Sequence, residues 1–235
     1  MKYSSKKSLT YNPSLTRNIG NKALTIISAL FAIISVLPLL LVISYVLFKG
    51  ASYINLETLI LEPEPPGDDL LSAGGIGPAI TGTFVMTVIA SIISIPVGVG
   101  AGVYLAEYSK SGRFANFVRF GSNVLAGVPS IIAGVFIYAI IVSTKILFGS
   151  MFSGIAGGIS LSILMLPTII KTTDEALKLV PDNLRRAALG IGASKFTMIS
   201  NISLPAAFTA ISTGILLGIA RAAGETAPLI FTALF

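Results

Sequence analysis

The sequence contains no cysteine, no histidine and no tryptophan. Without thiols or imidazoles it has no disulfide framework, no Ser-His or Cys-His catalytic pair, no thiolate or imidazole metal site and no side chain that ordinarily titrates near neutrality. Charge is scarce as well: Asp, Glu, Lys and Arg make up 11% of the 235 residues, against roughly 25% in an ordinary soluble domain. Apolar residues make up 54% and mean hydropathy is +0.89, so the chain is read as an integral membrane protein. The formal net charge of +6 would in a soluble protein raise nucleic acid as a partner, but here the basic residues fall where they set topology.

What is present is a series of long hydrophobic runs. Residues 23–48 are twenty-six in a row without a charge, more than the roughly 20 that cross a bilayer and too many for a signal-peptide core. They predict an uncleaved first helix, kinked at Pro38. Further spans are expected over about 76–105, 120–142 and 151–170, with a fifth starting near Ser203. The tail 1–22 carries Lys2, Lys6, Lys7, Arg17 and Lys22 and no acid, whereas segment 49–75 carries Glu57, Glu62, Glu64, Asp68 and Asp69 against Lys49. The positive-inside rule then places the N-terminus in the cytoplasm and segment 49–75 outside. Alternation puts Lys110, Arg113 and Arg119 inside, Lys145 outside, and the basic stretch 171–201 inside. Because the sequence stops at Phe235 within an apolar run, a sixth helix is expected beyond it.

The span interiors read as a packed bundle. Gly98 and Gly102, Gly154 and Gly158, and Gly214 and Gly218 are small-xxx-small pairs that let helix backbones approach. Pro96 and Pro129 interrupt the second and third spans, either as ordinary kinks or as places where freed carbonyls and Ser130 line a pathway. In stretch 171–201, Thr172 and Glu175 have capping-box spacing and open a short helix that Pro181 ends or restarts. Asp182 caps a second short helix through Arg185, Arg186, Ala187 and Ala188, and Gly190 or Gly192 stops it in the left-handed conformation. The result is a compact cytoplasmic knob or, more plainly, an amphipathic connector.

Two charges stand in the apolar C-terminal stretch, Arg221 and Glu225, one helical turn apart. An ionisable residue in a spanning segment costs at least ~2.5 kcal/mol and calls for a partner, a wet cavity or a function. Counted from Pro205, Arg221 lies about 24 Å along the helix and Glu225 about 30 Å, in the outer half of the membrane. One reading is an i, i+4 ion pair at the outer interface with the arginine snorkelling. The other turns the guanidinium toward the bundle, where its five donors suit an oxyanion and Glu225 balances its charge. An intramembrane enzyme would need more convergent catalytic groups than this pair supplies. No G-x-x-x-x-G-K nucleotide signature is present.

The order Ala187, Ala188, Gly192, Ile202, Leu204, Pro205 resembles the EAA coupling loop of bacterial ABC importer permeases, with Arg186 standing where the motif has glutamate. The stretches "GGIGPAITGTFVMT", "GVPSIIAG" and "ARAAGETAPLIFTA" resemble the permease of the phosphate-specific importer, of the PstA rather than the PstC type. The resemblance implies an all-α, polytopic transmembrane helix bundle of the ABC importer permease type, with six spans, in the cell inner membrane. It implies no enzyme activity and no cofactor on this chain, with ATP and Mg on the partner ATPase. Implied partners are a PstC-type permease as heterodimer, two PstB-type ATPases and an external phosphate-binding protein. Implied sites are a substrate pathway at Arg221, Glu225, Thr226 and Ser130, and ATPase coupling at Arg186, Ala187, Ala188 and Gly192. The expected division is a basic tail 1–22, a first helix 23–48, an external loop 49–75 and a permease core 76–235 that includes loop 171–201. A permease for sulfate or molybdate is the alternative.

Overall fold

The computed structural model describes residues 15–63, 74–109, 112–144 and 152–233, with no strand among them. Glu64, Asp68, Asp69, Lys110 and Lys145 lie outside the described residues. The chain divides into two compact units, Met1–Gly75 and Ile76–Phe235. In the first, α1 (Leu15–Gly50) runs unbroken through Pro38 into a 3-10 turn (Ala51–Tyr53) and the short α2 (Leu56–Ile60). α2 starts where it does because the Asn55 side chain accepts the Thr58 N–H at 2.7 Å.

The second unit begins with α3 (Gly77–Val103), which a π turn (Tyr104–Tyr108) extends. It continues through α4 (Arg113–Gly127), α5 (Ser130–Ile137) with a π turn (Tyr138–Val142), α6 (Gly154–Lys178) and α7 (Asp182–Gly190). α8 (Lys195–Met198) and a π turn (Ile199–Ser203) lead into α9 (Leu204–Ala223), and α10 (Ala227–Thr232) follows. Four continuous helical stretches are long and apolar enough to cross a membrane: Arg17–Tyr53, Gly77–Tyr108, Gly154–Lys178 and Lys195–Ala223. α4 and the α5 segment, bent by 105°, make the fifth if taken as one span.

α6 is the axis of the second unit. Its Leu161, Met165 and Ile169 are buried among Met86 and Ala90 of α3, Ala222 of α9 and Leu229 of α10. One end of the bundle is filled by Ala106, Ala176, Leu177, Val180, Ala207 and Ile211. Lipid is as apolar as these side chains, so close fit rather than escape from water holds such helices together. The glycines permit that fit. A Cβ on Gly102 would lie 2.5 Å from Thr173 Cβ, and one on Gly98 2.7 Å from Ile169 Cγ2, so α3 and α6 meet backbone to side-chain base. Gly158 is equally tight against Ile89 at 2.6 Å, Gly214 packs on Thr172, and Gly154 and Gly218 have only ordinary contacts.

Three expected spans differ in detail. The third is not straight: Val128 (φ −73°, ψ 130°) and Pro129 (φ −56°, ψ 133°) are both extended, so two successive residues leave the helix. The ring of Pro129 disfavours the helical conformation at Val128, which is what turns a kink into a corner. Pro96, by contrast, sits inside continuous α3 and interrupts nothing. The fourth span does not end near residue 170, because α6 continues to Lys178. Thr172 is therefore not a cap; its hydroxyl donates to the Thr168 carbonyl at 2.9 Å within the helix. Burial of Thr173, Asp174, Ala176 and Leu177 holds this last part of α6 and overrides the local start signal. The fifth span stops at Gly224, and Pro228 in the first turn of α10 starts a new helix.

Candidate functional site

The knob between α6 and α9 is built from short-range signals. Pro181 precedes the first residue of α7 in extended conformation, and Asp182 makes no cap bond to the backbone. Instead its carboxylate accepts from Arg185 Nη1 at 3.1 Å. At the other end Gly192 has φ +86°, and the N–H groups of Gly192 and Ala193 close back onto the carbonyls of Leu189 and Ala188, both at 3.1 Å. Only glycine takes that conformation without strain, so of the two candidate stops Gly192 is the one that turns the chain. Ser194 then starts α8 by accepting the Thr197 N–H at 3.1 Å.

The four residues expected in ATPase coupling separate into an inner and an outer set. Ala188 is buried with Met198 and Ile199 and anchors α7 to the root of α9. Arg186, Ala187 and Gly192 are exposed. Around them Leu184, Leu189, Ile191 and Phe196 are exposed too, apolar surface set among the cations Arg186 and Lys195. Apolar side chains gathered on an exposed knob mark an interaction surface.

A residue that the sequence did not single out holds the knob in place. Arg185 and Glu107, on the π turn after α3, form an ion pair in which Nε lies 3.1 and 3.2 Å from the two carboxylate oxygens and Nη2 lies 2.8 Å from Oε1. Arg185 Nη1 also donates to the Val180 carbonyl and Nη2 to the Leu177 carbonyl, both at 2.6 Å. The side chains are 14% and 4% exposed. Hydrogen bonding to Glu107 raises the Arg185 pKa above its usual value, with burial acting in the opposite direction. One signal was present in the sequence: Glu107 is an acid at the end of an apolar span whose following loop is basic. A second network joins α4 to α6, where Asp174 receives Arg119 Nε at 3.4 Å and Lys178 Nζ at 2.6 Å.

The other site lies at the break between α9 and α10. Arg221 is in the last turn of α9, where a cation complements the helix dipole, and Glu225 lies in the break. Arg221 Nε and Glu225 Oε1 are 3.7 Å apart, a charge contact longer than a hydrogen bond. The Arg221 side chain is 51% exposed and that of Glu225 17%, so the chain's own bundle does not enclose the guanidinium. Thr226 precedes α10 with its side chain making no cap bond, and it is exposed. Ser130 is the first residue of α5 and half-buried. The two motifs that hold these residues touch: a Cβ on Gly134 would lie 2.6 Å from Pro228 Cα. Ser130 is one turn before Gly134 on α5, and Thr226 is two residues before Pro228. The structure thus packs "GVPSIIAG" against "GETAP", which are ninety residues apart in the chain.

Residues 98–234, more than half of the chain, match the family of binding-protein-dependent transport system inner membrane components. The chain is 45% identical to the phosphate transport system permease protein PstA of Yersinia pestis over 79% of its own length, and spans 61% of that relative. It is 38% identical to PstA of Pasteurella multocida and 39% identical to PstA of Haemophilus influenzae, each over 93% of this chain and over 75% and 74% of those proteins. A solved inward-facing structure of the MetNI methionine ABC transporter shares the fold, with TM-score 0.55 and 22% identity over 66% of this chain and 71% of that one. The protein is accordingly a multi-pass transport subunit that belongs to the binding-protein-dependent transport system inner membrane component family, with PstA permeases among its relatives.

Proposed function

We propose that this chain is a PstA-type permease, carrying inorganic phosphate across the cytoplasmic membrane as one of two unlike membrane subunits of an ATP-driven importer. The observation that carries this reading is the 38–39% identity to phosphate permeases over 93% of the chain. The site chemistry agrees with it. Arg221 offers a planar fork suited to phosphate oxygens, and its half-exposed side chain supports a pathway shared with a neighbouring subunit of the PstC type. Glu225 offsets part of its charge, which keeps an anion from being held too tightly to leave. Thr226 and Ser130 supply hydroxyl donors from the touching motifs.

On the cytoplasmic side, where the charge rule also places the N-terminus, the apolar surface of α7 with Arg186 docks on a separate PstB-type ATPase. Two such ATPases hold the ATP and Mg, and an external binding protein delivers phosphate. Reconstitution of the assembled complex in proteoliposomes tests the reading. ATP hydrolysis and radiolabelled phosphate uptake should both rise with phosphate-loaded binding protein, and excess sulfate or molybdate should not compete. Competition by either anion, or no stimulation by phosphate, would replace it with a permease for another oxyanion.

A further inference from the structure

We propose that Arg185 is the positioning residue that locks α7 to the ends of α3 and α6, so that movement of the coupling helix enters the bundle through Glu107. A guanidinium has five N–H donors, and here all five are used: Nε on Glu107, Nη1 on the Val180 carbonyl and Asp182, and Nη2 on Glu107 and the Leu177 carbonyl. The acceptors come from three elements. Leu177 and Val180 belong to the end of α6 and the turn after it, Asp182 to the start of α7, and Glu107 to the π turn that ends α3. α7 cannot shift against α3 without parting a charge pair whose carboxylate is 4% exposed, nor against the end of α6 without breaking the hydrogen bonds to the Leu177 and Val180 carbonyls.

Along the chain, α7 leads toward α9 through a left-handed glycine and then a π turn, Ile199–Ser203. Both are local departures from regular helix, and π turns concentrate at functional sites. α7 thus has two connections to the bundle, the buried packing of Ala188 on Met198 and Ile199 at the root of α9 and the side-chain route through Arg185, and the second is the one that reaches α3 and α6. α3 and α6, joined tightly at Gly98 and Gly102, receive the displacement together. Lysine cannot substitute: it has one head, no fork, and too few donors for five acceptor contacts.

The inference rests on the reading of α7 as the ATPase-docking helix, and its test separates the two. In the reconstituted complex, Arg185→Lys and Glu107→Gln should leave hydrolysis per assembled complex largely intact while phosphate imported per ATP falls by roughly tenfold. A purely structural role would lower hydrolysis and uptake together. Independently of transport, spin labels on Gly100→Cys and Gly190→Cys report the α3 to α7 distance; a Cβ at either position meets nothing within 4 Å, and the chain has no native cysteine. That distance should stay fixed between nucleotide-free and ATP-trapped complex, and should shift or broaden with nucleotide in the Arg185→Lys background. A nucleotide-dependent change with Arg185 intact, or normal stoichiometry in Arg185→Lys, would overturn the proposal. A complex that ignores phosphate would overturn the proposed substrate instead, and the distances would still decide this point.

Discussion

Arg221 and Gly192 are single positions whose roles can be separated from those of their neighbours. Arg221→Gln removes the charge while keeping some hydrogen-bonding capacity, so phosphate uptake per assembled complex should fall sharply with insertion unchanged. The exchange Arg221→Glu with Glu225→Arg keeps both charges and their spacing, which an ion pair of purely structural use should tolerate. A pathway residue should not tolerate it, because the fork moves about one turn, roughly 6 Å, and a carboxylate then meets the anion. Recovery of uptake by the exchange would withdraw Arg221 from the pathway. Gly192→Val places a β-branched side chain at φ +86°, a strain of about 1–3 kcal/mol confined to the turn between α7 and α8. We expect assembled complex with uptake lost, measured as radiolabelled phosphate per complex; normal uptake would reduce the knob to a connector. Gly192 was legible in the sequence because a helix stop asks for glycine. Arg185 was not, since its partner lies 78 residues away, and the acid Glu107 at the end of an apolar span marks a need for a cation without saying which one.

Among the elements, the corner between α4 and α5 and the seat of α5 on α10 are what bring the two pathway motifs together. Gly134→Ala would put a Cβ 2.6 Å from Pro228 Cα and 2.8 Å from its carbonyl oxygen, backbone atoms that cannot rotate aside. Overpacking of this kind costs about 1–3 kcal/mol, so α5 and α10 should separate, with uptake reduced and the thermal stability of the complex lowered. An unchanged melting temperature together with normal uptake would show that the contact is not needed. The elements also show how far sequence reading reaches. Apolar runs located the four membrane-capable helices and the bent α4–α5 pair among the described residues, because bilayer crossing demands length and hydrophobicity from local sequence alone. Their ends were set elsewhere. Thr172 and Glu175 had the spacing of a helix start, yet packing of Thr173 and Leu177 carried α6 past them to Lys178. Pro96 and Pro129 looked alike in sequence, and only the second made a corner, because Val128 and Pro129 left the helix together.

For the whole molecule the decisive quantity is orientation, since α7 meets an ATPase only if it lies in the cytoplasm. The distribution of Lys and Arg argues that it does: five basic residues and no acid precede the first span, and the segment after it is acidic. Lys171, Lys178, Arg185, Arg186 and Lys195 then follow one another from the last part of α6 through α7 to the start of α8, so the rule applied here and at the N-terminus gives one answer. Glu57→Cys on α2 and Arg113→Cys at the start of α4 test it, because both positions are exposed, they are separated by the single crossing α3, and no native thiol competes. An impermeant maleimide added to intact cells should label Glu57→Cys, and should label Arg113→Cys only after the membrane is permeabilised. The reverse pattern would place α7 on the side that holds no ATP, and equal labelling of both from outside would mean that α3 does not cross. Either result would remove the ATPase as the partner of the knob, and with it the reason for an exposed apolar surface beside Arg186.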